Sequence, residues 1–131
     1  MVSYKALITL AFAAVALAAP NARRQAAAGE PANCSYVSTP STAVGDDVNL
    51  VSEFNFAIGR TIAIESPSHD TIGGSGFTGV DNGDGTFTAT GSVGTSALTA
   101  DELKALVTAW PGRTLEGFSV PEWEVESVSC D

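Results

Sequence analysis

Cations are scarce in this chain. Its 131 residues hold six lysines and arginines against 15 aspartates and glutamates. So acidic a protein repels phosphate backbones and anionic lipid surfaces, which argues against nucleic-acid binding and a polybasic membrane mode. Histidine occurs once, as His69, and cysteine twice, as Cys34 and Cys130. Two thiols and one imidazole do not fill a zinc site, and their spacing fits no zinc motif. No metal or cofactor is expected. Long apolar runs are also missing. Ala6 to Ala19 is too short to span a bilayer comfortably, no second segment competes with it, and Val128-Ser129-Cys130-Asp131 is no lipid-anchor tail. Internal repeats are absent too, and nothing marks a second domain.

What the N-terminus does have is the pattern of a targeting segment. Lys5 precedes the apolar run, and Ala16-Leu17-Ala18 is a small-residue cleavage signature. Residues 1–18 read as a signal peptide cut after Ala18, with Ala19 as the second choice. Arg23-Arg24 follows at once and is expected to end a short propeptide, 19–24. This arrangement is similar to the pre-pro leaders of many fungal secreted proteins, which are cut by kexin-type proteases. The mature chain then starts at Gln25, which can cyclise to pyroglutamate. It retains Arg60, Lys104 and Arg113 against all 15 acidic residues, a net charge of −12. About 107 residues remain, enough for one domain with a modest core. The expected product is soluble, secreted and extracellular, and its acidity by itself keeps it in solution.

In an oxidising compartment the two cysteines are expected to pair with each other. A Cys34–Cys130 disulfide closes almost the whole domain into a ring. Asn33-Cys34-Ser35 matches a glycosylation sequon. Its central cysteine makes it an unfavourable one, because disulfide formation competes with glycan addition.

Residues 25–32 are Ala-rich, with Gly29 and Pro31, and read as a flexible tail before a single compact domain, 33–131. The best-defined element runs from Leu98 to Gly112. Thr99 as N-cap and Glu102 three residues on form a capping box, with Leu98 and Leu103 as a hydrophobic staple. Leu103, Leu106, Val107 and Trp110 recur at helical spacing, and Pro111-Gly112 stops them. Asp81-Asn82-Gly83-Asp84-Gly85 is a hairpin turn between strands at Phe77–Val80 and Thr86–Val93. Cys34 to Ser38 is a short strand candidate. Val48 to Ile58 is ambiguous. As a helix it sets Leu50, Val51, Phe54, Ala57 and Ile58 on one face and Asn49, Ser52 and Glu53 on the other, with Val48 and Phe56 as misfits. As a strand it misplaces Ser52. Asp46 as N-cap and Gly59 after the C-cap favour the helix. Thr61 to Glu65 then reads as a short strand, and Gly73 to Gly76 as a flexible loop. The last β region, Leu115 to Val128, is broken by Gly117 and Pro121. From Trp123 on it alternates, with Trp123 and Val125 inward and Glu122, Glu124 and Glu126 on a solvated face, as on an edge strand.

The order strand, helix, strand, strand, helix, strand predicts an α+β fold of split βαβ type. That is a ferredoxin-like βαββαβ antiparallel sheet with two helices on one face. In such a sheet the first and last strands lie antiparallel side by side, which would bring Cys34 and Cys130 together. The alternative is an all-β sandwich with one helix.

Chemistry is thinly represented. Ser66, Ser68, His69 and Asp70 gather the residue types of a triad, but adjacency in sequence does not make triad geometry, and no nucleophile elbow is present. Asp81 to Gly85 lacks the ligand spacing of a calcium loop, since position 83 is Gly83 and position 92 is Ser92. Glu122, Glu124 and Glu126 suggest no cleft for an acid/base pair. Trp110 and Trp123 lie on the apolar phases of their elements, as core residues do.

The leader, size, acidity and single disulfide look like a fungal small secreted protein, and the βαββαβ order is similar to killer-toxin-type and related effector folds. The resemblance rests on architecture and carries no site residue with it; many effectors have more disulfides. It implies a non-enzymatic interaction protein acting on an extracellular protein or cell-surface component of a host or competitor. Its candidate partner surfaces are Glu122, Glu124 and Glu126, or the His69-bearing stretch Ser66 to Gly76. A propeptide-like protease inhibitor is a second reading, although Cys130 pins the C-terminal tail such inhibitors leave free. A small hydrolase is the third.

Overall fold

The computed structural model describes residues 27–131. The expected processing positions Ala18, Arg23 and Arg24 lie outside them. These described residues form an α+β fold, a five-stranded antiparallel sheet and two helices. In chain order these are β1 (Ala32–Pro40), α1 (Leu50–Glu65), β2 (Ile72–Asp81), β3 (Phe87–Gly94), α2 (Ala100–Thr108), β4 (Thr114–Glu116) and β5 (Glu122–Cys130). The sheet order is β2-β3-β1-β5-β4. Before β1 the chain is already tied down, since Ala28 bridges Thr99 and the Gly29 N–H donates to the Leu98 carbonyl at 3.0 Å.

α2 forms for the local reasons its sequence contains. The Thr99 side chain accepts from the Glu102 N–H at 3.1 Å, and Glu102 accepts from the Thr99 N–H at 2.9 Å. Leu103, Val107 and Trp110 are buried, with Leu106 packed beside them. The hairpin is equally local. Asp81 accepts from the Gly83 N–H, Asp84 accepts from the N–H and hydroxyl of Thr86, and Asp81 pairs with Phe87. Cys34 pairs directly with Cys130 across β1 and β5, and the two form a disulfide.

α1 departs from expectation at both ends. Asn49, rather than Asp46, is the N-cap and accepts from the Ser52 N–H at 3.1 Å. At the other end the helix runs straight through Gly59, so Thr61 to Glu65 is helical and not a strand. Phe54, Ile58 and Ile62 continue one i, i+4 series, each about 1% exposed. Burying one more isoleucine contributes about 1.5–3 kcal/mol. A mid-helix glycine costs only about 0.5–1 kcal/mol, and β-branched residues cost tenths. Termination waits for Ser66, whose extended backbone precedes Pro67. Gly59 has open space where a side chain would stand. Gly59→Ala is therefore expected to stabilise the fold by about 0.5–1 kcal/mol, read as a higher urea midpoint.

The strand expected before the hairpin starts later than read and is longer. Gly73 to Gly76 lies inside β2, as an irregular beginning where the register with β3 shifts between Ile72 and Gly76. β2 is an edge strand, and Phe77 turns its backbone groups toward α1. There the Asn55 side chain accepts from the Phe77 N–H at 3.0 Å and donates to its carbonyl at 3.2 Å, standing in for a neighbouring strand. Asn55→Ala is expected to cost about 1–2 kcal/mol in denaturant unfolding and to promote association through the uncovered edge.

β5, expected as an edge strand, is not one along its first residues, because the short β4 pairs with Glu122, Trp123 and Glu124. Its alternation also breaks. The register with β1 shifts between Val37 and Ser38, which leaves Glu126 as an extra residue that accepts from the Thr39 hydroxyl at 2.8 Å. Inward positions of the strands and the buried stripes of both helices form one core, centred on Trp110, Trp123, Phe54, Phe77, Phe87 and Tyr36.

Candidate interaction surface

The sequence-singled residues are scattered, and the structure brings few of them together. Glu122 and Glu124 are exposed and line an open depression of about 280 Å³ with Thr39, Pro40, Ser41 and Thr114. His69 is exposed within the Ser66–Asp70 turn and holds a positive φ of 54°. Ser68 donates directly to Asp70 at 2.6 Å, and Ser96 donates to Asp70 through both its N–H and its hydroxyl. The aspartate is thus spent on holding the turn to the segment before α2. These donors, Ser68 first, hold its carboxyl below the usual range. Asn33 is exposed at the start of β1 and donates to Asp131 at 2.6 Å. Trp110 and Trp123 are 2% and 0% exposed, so neither face is available to stack on a ligand.

The organising residue is one that the periodicity placed on the polar face. Glu53 is 1% exposed. Its Oε1 accepts from the Phe118 N–H at 3.0 Å, the Val120 N–H at 3.1 Å and the Trp123 indole at 3.0 Å, while Oε2 accepts from the Ser119 N–H at 2.7 Å. Desolvation pushes its pKa up, but the four donors outweigh that and hold it below its ordinary value. The carboxylate thus does for the 117–121 turn what a strand partner would do, satisfying three successive backbone groups. Gly117 permits the approach, since a Cβ there would meet the Val120 carbonyl at 1.9 Å and Glu53 at 2.6 Å.

What this turn presents is Phe118. The residue is 72% exposed, the largest exposure among the big hydrophobics of the described residues. Phe118 stands beside Phe56 of α1, ring centroids 5.5 Å apart. The Arg60 guanidinium lies 5.8 Å over the Phe56 ring and bridges to Glu116 at 3.2 Å. That exposed ion pair adds at most about 1 kcal/mol, but it orients the arginine across the aromatic pair. The result is a fixed patch of two aromatic rings, one cation and one carboxylate at the junction of α1 and the β4–β5 turn.

Sequence reasoning missed this patch. The available signal was Phe56, an aromatic residue out of phase with the buried face of its helix. Compared with known protein families, curated proteins and solved structures, the chain matches none.

Proposed function

We propose that this protein is a secreted, non-enzymatic binding protein, effector-like or toxin-like in its mode of action. In this reading it engages a protein or cell-surface component of a host or competitor through the Phe118 patch. The observation that carries the reading is the pairing of a buried carboxylate with an exposed aromatic ring. Stability alone favours the reverse arrangement, with the ring inside and the charge outside. Rigid aromatic anchors lose little conformational freedom on binding and dominate contact energies. The described residues carry three cations and 15 carboxylates, so the partner that fits has an apolar pocket with a basic rim. The split βαβ frame, ferredoxin-like with β4 added at one edge, belongs to the same proposal. The run β2-β3-β1-β5 with every neighbour antiparallel supports it.

The test is a capture experiment with the purified protein as bait against extracellular host or competitor material. Phe118→Ser is expected to leave the unfolding midpoint within about 0.5 kcal/mol of the parent and to weaken capture by about 30-fold or more. Undiminished capture by that variant rejects the patch as the binding site. Turnover of a substrate that is lost in His69→Ala would reject the non-enzymatic reading.

A further inference from the structure

Asn33-Cys34-Ser35 is the one Asn-x-Ser/Thr triplet in the chain, and binding through Phe118 makes no use of it. It opens β1, the central strand of the sheet. Asn33 and Ser35 are two residues apart and therefore share a face of that strand. Ala32, Cys34 and Tyr36 alternate with them and are buried in the core that both helices cover. Asn33 thus stands on the face without helices. Its surroundings there are small and polar: Ser92 lies opposite Asn33, and Thr90 and Ser129 lie opposite Ser35.

We propose that Asn33 carries an N-linked oligosaccharide, added during translocation and before the Cys34–Cys130 disulfide closes. The inference rests on the secreted reading, because the donor, an oligosaccharide on a polyprenyl diphosphate, is met in the secretory pathway. In the transfer the Asn33 amide nitrogen attacks the anomeric carbon of the first sugar. A C–N bond forms and the C–O bond to the diphosphate breaks. The nitrogen gives up one proton to a base of the transferase, and the lipid diphosphate leaves as the anion.

Two observations carry the assignment. The first is the order in which the chain is made. The cysteine inside the triplet opposes glycan addition only if its partner arrives in time. That partner is Cys130, 96 residues further on. At about 5–20 residues per second, about 5–20 s of synthesis separate the two. Through that interval Cys34 has no second cysteine of its own chain to pair with. The same interval keeps β1 open, since one of its two neighbours is β5, Glu122–Cys130. A transferase has to surround the triplet, which a strand bonded on both sides does not allow. The unfinished sheet presents Asn33 with one side still free.

The second observation is that the folded protein has room for the product. Asn33 is exposed, and its amide donates to Asp131 at 2.6 Å. The linked amide keeps one N–H, so this bond can persist. No helix has to move, and the serine and threonine hydroxyls around Asn33 can bond to sugar. The site lies beside Cys130, at the end of β5 opposite the 117–121 turn, so the glycan leaves Phe118 uncovered.

The test is cell-free translation of the full chain with endoplasmic-reticulum microsomes. Protection from added protease reads translocation, and gel mobility before and after peptide N-glycosidase reads the glycan. Protected chains with one upward step that the glycosidase removes are expected. Asn33→Gln and Ser35→Ala leave the core untouched and should be protected but lose the step entirely. Cys130→Ser, which removes the competing thiol, should shift the same fraction of chains as the parent. Protected chains without the step overturn the proposal and leave the secreted reading standing. Chains that stay open to protease overturn the secreted reading, and the proposal with it. A step that persists in Asn33→Gln overturns the assignment of the residue. A larger shifted fraction in Cys130→Ser overturns the proposed order, because the disulfide then closes first.

Discussion

Replacing Glu53 with alanine is expected to destabilise the protein by about 3–5 kcal/mol, because the truncation removes the acceptor of three backbone N–H groups and one indole in a buried site. The loss follows from what stays behind. The N–H groups of Phe118, Ser119 and Val120 have no strand partner to return to, and the Trp123 indole is sealed in the core. Glu53→Gln preserves the shape but turns an amide donor toward one of these donors, and should cost about 2–3 kcal/mol. Urea midpoints of the three proteins at pH 7 give the comparison. A loss below about 1 kcal/mol for the alanine variant would show that the turn holds itself.

The same carboxylate makes a prediction about pH. Its folded pKa lies below its ordinary value of 4.5. The folded state therefore keeps the proton off longer than the unfolded chain does. Its contribution is complete above pH 4.5 and is lost as pH falls through the lower folded value. The hydrogen-bonded Asp70 and Asp84 are shifted in the same direction. The Glu53-dependent part is therefore the difference between parent and Glu53→Gln, which should shrink as pH falls below 4.5 toward the lower folded value. A difference that holds constant or grows toward acid would contradict the assignment.

Removing the disulfide is expected to cost about 4 kcal/mol, close to the chain-entropy value for a loop of this size. Cys34 and Cys130 are 96 residues apart, so the cross-link restrains almost the entire unfolded chain. In the folded state the same two residues face each other across paired strands, and β1 and β5 stay in register through their backbone bonds. The effect should thus appear mainly in the unfolded ensemble. The Cys34→Ala/Cys130→Ala double variant should unfold at lower urea with a larger m-value, because its unfolded chain expands. A change below about 1 kcal/mol would mean that strain in the native cross-link offsets the entropy it removes.

Elements whose causes lie within a few residues were legible in advance. The capping box of Thr99 and Glu102, the stripe of α2 and the Asp81–Gly85 turn are each specified by neighbours in sequence, and each forms where expected. The cysteine pairing was legible by elimination. Length and environment were not. Gly59 reads as a stop because glycine commonly ends helices, yet the next turn places Ile62 in the core, and that burial outweighs the glycine's cost. Glu122, Glu124 and Glu126 do face solvent, but whether β5 is an edge depended on β4, a three-residue strand too short to leave a periodic signal.

The sharpest divide falls at Glu53. On the helical wheel it belongs with Asn49 and Ser52 on the wet face. Its four hydrogen-bond donors stand 65 to 70 residues further along the chain, so nothing local announces that the charge will be buried. By itself the sequence determined an acidic chain with one disulfide, the hairpin and α2, since caps, turns and charge act at short range or by count. Only the tertiary structure decided how far α1 runs, that its one buried carboxylate pins a distant turn, and that Phe118 is left facing solvent. Those outcomes depend on which surfaces meet, and that is settled by packing between segments remote in sequence.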